Sequence, residues 1–292
     1  MNNKLIVDER QADLGNFMVG RLLPFRKKRQ VGPFTFIDHM GPAEIGAGRY
    51  MDVDQHPHIG LSTLTYLYEG SVHHKDSMGT DQVVNAGDVG FMTAGSGVTH
   101  TERTPVENRD GSVEKMHGYQ IWVAMPKAME EDDPSFQFVA KADLPKWEQD
   151  GNEFILVAGS AFGKNSPLKG HSPLFMVDIH AKNETTIDLK GQVKGEIAFV
   201  VVKGEIMEDG ERIKAGQMLI SKTEDACKIC CAAGTQLLLF GGQAFDEERY
   251  LLWNFVSSSK ERLQQAKQDW MDKKFPKVPG DDTYIPFPVQ LK

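Results

Sequence analysis

The sequence predicts an all-β protein made of two β-barrels in tandem, followed by one C-terminal helix. Three observations support this prediction. Short runs with alternating apolar residues are separated by glycine turns along most of the 292 residues. A pattern in the first half recurs in the second half. A helical pattern with start and stop signals occurs near the end of the chain.

The repeat is clearest around two glycine turns. Residues Tyr66–Val72 match Val200–Ile206, and Val84–Met92 parallel Ile213–Ile220, with the same spacing of apolar residues and glycines. An acidic break at Glu130–Pro134 lies between the copies. We therefore expect a first barrel over residues 1–137 and a second over 138–292, which includes the helix.

The helix is expected over residues 259–274. Ser258 and Glu261 form a capping-box pattern, and Pro276 follows as a stop signal. An apolar stripe at helical spacing consists of Leu263, Ala266 and Trp270. We expect this stripe to pack on a barrel, with a partner-binding helix as the alternative.

Composition argues against several classes of protein. The longest apolar runs, such as 197–202, are far shorter than the roughly 20 residues that span a bilayer. The N-terminus carries no secretory signal pattern, so we expect a soluble cytoplasmic protein without membrane contact. A formal net charge of −8 argues against nucleic-acid binding. The basic run Arg26–Arg29 is interpreted as a solvated loop.

Two short patterns predict a metal site. His56 and His58 are separated by one residue, as are His100 and Glu102. On a β-strand this spacing places both side chains on one face. Three imidazoles and a carboxylate suit a divalent transition metal, with iron, manganese, nickel, cobalt, copper and zinc all chemically admissible. The sequence therefore predicts a metal centre inside the first barrel.

The second barrel is expected to bind no metal. Counting back from Gly204 by the offsets of the first two histidines reaches Lys190 and Gln192, and no histidine follows Gly216. His171 and His180 lie in this half and are interpreted as structural. A C-x-x-C spacing lacks a second ligand pair for zinc, so buried or half-buried thiols are expected for Cys227, Cys230 and Cys231.

Other polar residues receive simpler interpretations. His73 and His74 are adjacent, so at most one can face inward from a strand, and we expect a hairpin near the surface. Asp38 and His39 are not expected to be catalytic. Several apolar residues could line an aromatic pocket, although core packing explains them equally well: Phe36, Met40, Met92, Met116 and Trp122.

The spacing of the histidines resembles the first cupin motif, with Thr63 where that motif usually carries glutamate. Glu102 fits the vacancy, and residues 86–100 resemble the second cupin motif. Stretches 32–42, 56–60, 92–102, 117–123 and 253–262 are similar to the pirin family, a resemblance that covers nearly the whole chain. It implies two double-stranded β-helix (jelly-roll) barrels. Ile59 departs from the arginine of some pirins.

The resemblance also implies a function. The resemblance to bacterial pirins implies an Fe(II) centre and quercetin 2,3-dioxygenase activity, in which dioxygen opens a flavonol ring and carbon monoxide is released. His56, His58 and His100 would hold the metal, and Glu102 would act as ligand and proton acceptor together. The substrate would be a small aromatic, flavonol-like molecule together with dioxygen.

Two alternatives remain open at this stage. The resemblance to eukaryotic pirins implies a regulator whose iron oxidation state controls binding to a partner protein, either in transcription or on a metabolic enzyme. A barrel that binds a small ligand without turnover is a third class. A flavonol turnover assay distinguishes the enzyme from both.

Overall fold

A computed structural model describes residues 4–14, 17–46, 48–221 and 227–288. The all-β prediction is confirmed, because the described residues form twenty-five strands and one α-helix, α1 (Lys260–Met271). Single 3₁₀ turns cover Val106–Asn108 and Lys127–Met129. In chain order the strands are β1 Leu5–Asp8, β2 Arg10–Asp13, β3 Met18–Leu23, β4 Phe34–Gly46, β5 Asp52–His58, β6 Leu61–Glu69, β7 Ser71–Asp76, β8 Asp81–Asn85, β9 Val89–Thr93, β10 Val98–Arg103, β11 Val113–Ala124, β12 Ser135–Val139, β13 Lys146–Gln149, β14 Asn152–Ala161, β15 Lys164–Asn165, β16 Leu174–Ala181, β17 Thr185–Asp188, β18 Glu196–Lys203, β19 Glu205–Glu208, β20 Glu211–Lys214, β21 Gln217–Ile220, β22 Lys228–Cys231, β23 Thr235–Gly242, β24 Tyr250–Leu252 and β25 Phe255–Ser257.

The internal repeat is visible in the strand order. One four-stranded sheet runs β5-β10-β7-β8, and another runs β17-β22-β19-β20. The larger sheets contain β9-β6-β11-β4 and β21-β18-β23-β16 in the same way. Each strand of the second set has a number twelve higher than that of its counterpart in the first set, so that β17, for example, corresponds to β5. Two copies of one antiparallel barrel topology are therefore present, as the repeated sequence pattern predicts.

The turn glycine of the repeat has the same role in both copies. Gly70 joins β6 to β7 with φ of 83°, and Gly204 joins β18 to β19 with φ of 77°. A Cβ atom on Gly70 would lie 2.7 Å from the carbonyl oxygen of Lys115, which is closer than van der Waals contact permits. Only glycine adopts this conformation without steric cost, so the turn is encoded locally.

The compact units do not follow the predicted limits of 1–137 and 138–292. The first-barrel unit consists of Gln11–Val19, Asp38–Phe138 and Asp246–Lys292, and the second-barrel unit of Met1–Arg10, Gly20–Ile37 and Val139–Phe245. The units change close to the predicted limit, between Phe138 and Val139. Each terminal segment, however, contributes to the barrel that is distant in sequence.

Specific contacts explain this exchange of segments. In the second-barrel unit, β1 pairs antiparallel with β21, with Leu5 opposite Ile220. In the first-barrel unit, the buried residues of α1 pack with Ile59 and Phe255. The helix therefore completes the first barrel, whereas the sequence assigned it to the second. Sheet pairing and apolar burial, rather than chain continuity, determine the units.

The helix agrees with its prediction in type and in its buried face. Leu263, Ala266 and Trp270 are buried, so packing on a barrel is confirmed. The N-cap is Ser259, whose Oγ accepts a hydrogen bond from Arg262 N, and the predicted capping register is therefore wrong by one residue. The described part of the chain contains no helix whose length and apolarity would let it cross a membrane.

The predicted acidic break contains a buried carboxylate. Glu130 Oε1 lies 2.9 Å from Arg249 Nε, and both side chains are almost fully buried. Glu130 also accepts hydrogen bonds from Ser257 Oγ and from the backbone N–H of Ser258. The carboxylate thus fixes β25 and the start of the helix. Burial of a charge is tolerated here because every oxygen has a partner.

We expect Glu130→Gln to lower the free energy of unfolding by about 3–5 kcal/mol, because it removes the buried counter-ion of the Arg249 guanidinium and leaves only the exposed carboxylate of Glu247, at 3.5 Å. The matched control is Glu131→Gln, since that neighbouring side chain is exposed and should change stability by less than about 0.5 kcal/mol. Urea unfolding monitored by tryptophan fluorescence measures both. Equal stability of the two variants would contradict the role of this ion pair.

Candidate metal centre

Antiparallel pairing of β5 with β10 brings the predicted histidines together. His56 lies directly opposite His100, and His58 lies opposite Val98. One ring nitrogen from each of His56, His58 and His100 lies within 4.8 Å of the other two. The three histidines of the two i, i+2 patterns therefore converge on one interior face, as the sequence indicated.

Backbone carbonyls orient two of the three rings. His56 Nδ1 donates to the carbonyl oxygen of Asp54 at 2.8 Å, and His58 Nδ1 donates to that of Asn254 at 3.0 Å. A carbonyl can only accept, so each Nδ1 carries the ring proton. The Nε2 atoms of both residues consequently present lone pairs, and that of His58 faces His100 Nε2 at 3.1 Å.

Burial keeps these imidazoles neutral. Desolvation lowers the pKa of His56 to about 4, although its hydrogen bond to Asp54 opposes the shift. Burial, reinforced by the neighbouring imidazoles, also lowers the pKa values of His58 and His100 well below the usual value. A metal ion requires neutral imidazole ligands, so the cluster is in the binding form at neutral pH.

The donor set fits a divalent transition metal. The lone pairs of His58 and His100 face each other whenever His100 carries its proton on Nδ1, and this arrangement is repulsive without a cation between them. Imidazole nitrogens favour iron, nickel, copper and zinc over magnesium or calcium. These residues could therefore hold a transition metal, as pre-oriented ligands with hydrogen bonds on their distal nitrogens.

Glu102 lies beside the histidine cluster on β10. A β-bulge lies between His100 and Glu102. His100 pairs with His56 and Glu102 pairs with Val53, so β5 contains one more residue than β10 over this stretch. An oxygen of Glu102 lies within 4.8 Å of ring nitrogens of His100 and His74. Within the described residues, His100 is the residue whose ring nitrogen lies within 4.8 Å of the ring nitrogens of both His56 and His58, and Glu102 does not belong to that group. Its role as the fourth ligand stays a prediction.

A hydrogen-bond chain orients this carboxylate. Gln120 Nε2 donates to Glu102 Oε1 at 2.8 Å, and Thr65 Oγ1 donates to Gln120 Oε1 at 2.7 Å. Because an ionised carboxylate can only accept, the amide of Gln120 must direct its NH₂ group at Glu102, and its oxygen then accepts from the hydroxyl of Thr65. Burial raises the pKa of Glu102, partly offset by His74 and by these hydrogen bonds. The carboxylate is therefore a stronger base than an exposed glutamate.

His74 is a site residue that the sequence interpretation missed. It is 4% exposed, its ring stacks on Phe136 with centroids 4.6 Å apart, and its Nδ1 lies 3.3 Å from His100 Nδ1. The surface expectation holds for His73, which pairs with Asp81, but it is wrong for His74. The signal was the i, i+2 spacing of His74 and Asp76, the same pattern that identified the metal site.

The C-terminal segment is fastened to residues that adjoin the site. Gln55, next to His56, donates to the carbonyl oxygens of Asp281 and Thr283 and accepts from the N–H of Val278. Arg103, next to Glu102, pairs with the Asp281 carboxylate at 2.6 Å. The geometry of β5 and β10 thus depends on chain that is more than 170 residues distant.

The other candidates fall into two groups. Trp122 is at the site, since its ring meets that of His58 edge to face at 5.1 Å. Met40 and Met116 belong to an apolar cluster with Leu67, while Met92 packs with Val98. His39 contacts His117 and stacks on Tyr119 instead of joining the imidazole cluster.

The second barrel carries different residues at the corresponding positions. The pair Met207–Cys230 of the second barrel occupies the place of the pair His73–Arg103 in the first. Counting along the strands from these pairs, Glu208 corresponds to His74, and Cys227 corresponds to His100. Glu208 Oε1 accepts from Ser221 Oγ and from Cys227 Sγ, and Glu208 Oε2 forms an ion pair with Lys4 at 2.9 Å. An ammonium group of the chain itself therefore balances this carboxylate.

The predictions for the remaining second-barrel residues have mixed outcomes. Lys190 and Gln192, the positions that the sequence spacing matched to His56 and His58, line a cavity of about 420 Å³. Cys227 and Cys231 are buried, as expected, but Cys230 is exposed because alternate residues of β22 face opposite ways. Burial raises the pKa values of the Cys227 and Cys231 thiols to about 12, so both are protonated and unreactive at neutral pH.

Replacing His58 or His100 with alanine should sharply lower metal content, because the site loses a ligand and its geometry. Elemental analysis of protein loaded with Fe(II) under anaerobic conditions measures the occupancy. His180→Ala is the matched control, since His180 pairs with Asp178 in the second-barrel unit and should leave occupancy unchanged. Full occupancy in the His58 and His100 variants would refute the site.

The metal-free protein should lose stability as the pH falls from about 6.5 to about 4. In this window His56 is neutral in the folded protein but protonated in the unfolded chain, so unfolding takes up a proton. One such group changes the free energy of unfolding by up to about 1.4 kcal/mol per pH unit. The metal-free His56→Gln variant should show a shallower slope in urea unfolding at pH 7, 6 and 5. Identical slopes would show that His56 does not titrate in this way.

Comparison with known proteins agrees with the fold. A model of the pirin family matches residues 16–123, and a model of the pirin C-terminal cupin domain matches residues 176–276. The chain is 43% identical over 289 residues to a pirin-like protein of Caulobacter vibrioides, covering 97% of this chain and 99% of that protein.

Solved structures give the same result. The fold is similar to that of quercetin 2,3-dioxygenase from Acinetobacter baumannii, with a TM-score of 0.88 and 32% identity over 99% of this chain and 96% of that one. A second quercetin 2,3-dioxygenase of that organism has a TM-score of 0.84 and 24% identity, covering 97% of this chain and all of the other. The two barrels are thus cupin domains, and the chain belongs to the pirin family.

Proposed function

We propose that this protein is an iron-dependent dioxygenase that opens the ring of a quercetin-like flavonol with dioxygen and releases carbon monoxide. The observation that supports it most is the neutral cluster of His56, His58 and His100 with a carboxylate of raised pKa beside it. A relative in the same fold at 32% identity is a quercetin 2,3-dioxygenase.

The three histidines would hold the metal through lone pairs whose orientation the backbone already sets. Fe(II) is the first choice, and manganese, nickel, cobalt, copper or zinc would suit the same donors. When bound, the metal supplies Lewis acidity and exchangeable electrons for dioxygen chemistry. The buried Trp122 ring, which meets His58 edge to face, would provide an apolar wall beside an aromatic substrate.

Glu102 would act as the general base for the flavonol 3-hydroxyl. Gln120 donates to Oε1, and Oε2 is the oxygen to which we assign proton transfer. Burial raises the pKa of this carboxylate, which moves its basicity toward that needed for proton abstraction near neutral pH. Glu102 would also serve as the fourth ligand, which gives it a double role.

A redox-controlled regulator is the second candidate. Its support is that Gln55 and Arg103, the neighbours of His56 and Glu102, hold the segment containing Asp281 and Thr283. A one-electron change at the metal alters the local charge by one unit and could shift how firmly this segment is held. A partner protein that prefers one state would then sense oxidation.

The decisive experiment uses Glu102→Gln, because glutamine keeps the size of the side chain but cannot accept the proton. With Fe(II) loaded anaerobically, we expect flavonol turnover to fall by about 10²–10⁴-fold while part of the metal is retained by the three histidines. Oxygen uptake, carbon monoxide release and metal content are measured together. Glu107→Gln, at an exposed glutamate of the same unit, is the control and should behave like wild type.

Undiminished turnover in Glu102→Gln would refute the role of Glu102 as base. If fully loaded wild-type protein consumes no oxygen and releases no carbon monoxide with any flavonol tested, the dioxygenase proposal is rejected. Pull-down partners that differ between the ferrous and ferric forms would then favour the regulator.

A further inference from the structure

We propose that His74 and Asp76 are positioning residues of the metal centre, forming a hydrogen-bonded relay that orients His100 and directs its Nε2 lone pair toward the metal. This inference rests on the proposed metal centre but not on the proposed dioxygenase activity. The relay runs outward from His100 through His74 to Asp76, on the side of the ring opposite His58.

The geometry of the relay is continuous. His100 Nδ1 lies 3.3 Å from His74 Nδ1, and His74 Nε2 lies 3.2 Å from Asp76 Oδ2. Strand pairing produces these contacts, since β10 and β7 set His100 opposite Asp76 and Glu102 opposite His74. All three relay residues are buried.

Only one arrangement of ring protons satisfies every contact while His100 Nε2 is free to bind a metal. The proton of His100 must then sit on Nδ1, where it is donated to His74 Nδ1. His74 in turn carries its proton on Nε2 and donates it to the Asp76 carboxylate, which can only accept. The relay therefore selects the tautomer of His100 that a metal requires.

The end of the relay is fixed independently of the rings. Asp76 Oδ1 accepts hydrogen bonds from the backbone N–H groups of Met78 and Thr80 at 2.9 and 3.0 Å, which leaves Oδ2 for His74. Phe136 stacks on the face of His74 and fixes the plane of that ring. Neither the carboxylate nor the ring can turn without breaking these contacts.

The contacts of His74 distinguish a positioning residue from a further ligand. Both ring nitrogens of His74 already have partners, one on His100 and the other on Asp76. The charges also balance, because carboxylates on Glu102 and Asp76 together offset a divalent cation held by neutral imidazoles. An acceptor on the distal nitrogen of a histidine ligand fixes the ring and strengthens the ligand, and His74, itself held by Asp76, is that acceptor for His100.

The test uses Asp76→Asn and His74→Gln, with His73→Gln as the matched control because His73 precedes His74 on the strand and pairs with Asp81 on the outside. Co(II) is the probe: its affinity is measured by competition with a chelator, and its visible absorption reports the ligand field. Thermal unfolding of each metal-free variant establishes that it is folded.

We expect both relay variants to bind Co(II) about 10–100-fold more weakly than wild type and to show a shifted absorption spectrum, at unchanged stoichiometry. His73→Gln should match wild type in both measurements. Wild-type affinity and spectrum in the two relay variants would overturn the proposal. Loss of binding in His74→Gln that is as severe as in His58→Ala, with Asp76→Asn unaffected, would identify His74 as a ligand and also overturn it.

The two proposals fail in different ways. Wild-type protein that binds Co(II) but turns over no flavonol rejects only the dioxygenase, and the relay is still decided by the affinities of the variants. Wild-type protein that binds no Co(II) rejects the metal centre and the relay with it.

Discussion

The hydrogen bonds from His56 and His58 to the carbonyls of Asp54 and Asn254 are the interaction on which the site depends. They fix the tautomers of two buried rings, and burial keeps those rings neutral, so the lone pairs converge before any ion is present. The first carbonyl comes from a bulge in β5, and the second comes from a segment almost 200 residues away. Local strand geometry and long-range closure of the chain therefore contribute equally to one set of ligands.

Charge is balanced differently in the interiors of the two barrels. In the first, a neutral imidazole cluster is flanked by the carboxylates of Glu102 and Asp76, an arrangement suited to an added cation. In the second, Glu208 occupies the position that corresponds to His74, and Lys4 supplies the cation. A buried carboxylate needs a partner. In the second barrel Lys4 of the N-terminal segment is that partner, and in the first barrel a bound cation could take the same role.

Local patterns predicted the fold class, the repeat, the helical stripe and the convergence of His56, His58 and His100, because strand and helix periods determine which side chains share a face. The rest depends on long-range pairing. The i, i+2 spacing of His74 and Asp76 indicates that they share a face, but only the pairing of β7 with β10 places that face against His100. The carbonyl of Asn254 carries no side-chain signal at all. Likewise, the exchange of terminal segments follows from pairing of β1 with β21 and from apolar packing on Ile59, and neither pairing is written in a local pattern.

The interleaved path of the chain has a consequence for how such a protein can evolve. A gene fragment that ends near Phe138 would encode every histidine of the cluster yet omit Asn254, the helix and the segment fastened by Gln55. Each barrel includes a strand or a helix from outside its own copy of the repeat, so neither half of the sequence encodes a complete barrel. Recombination at the visible sequence boundary would separate partners, whereas point substitution inside either barrel leaves the mutual dependence intact.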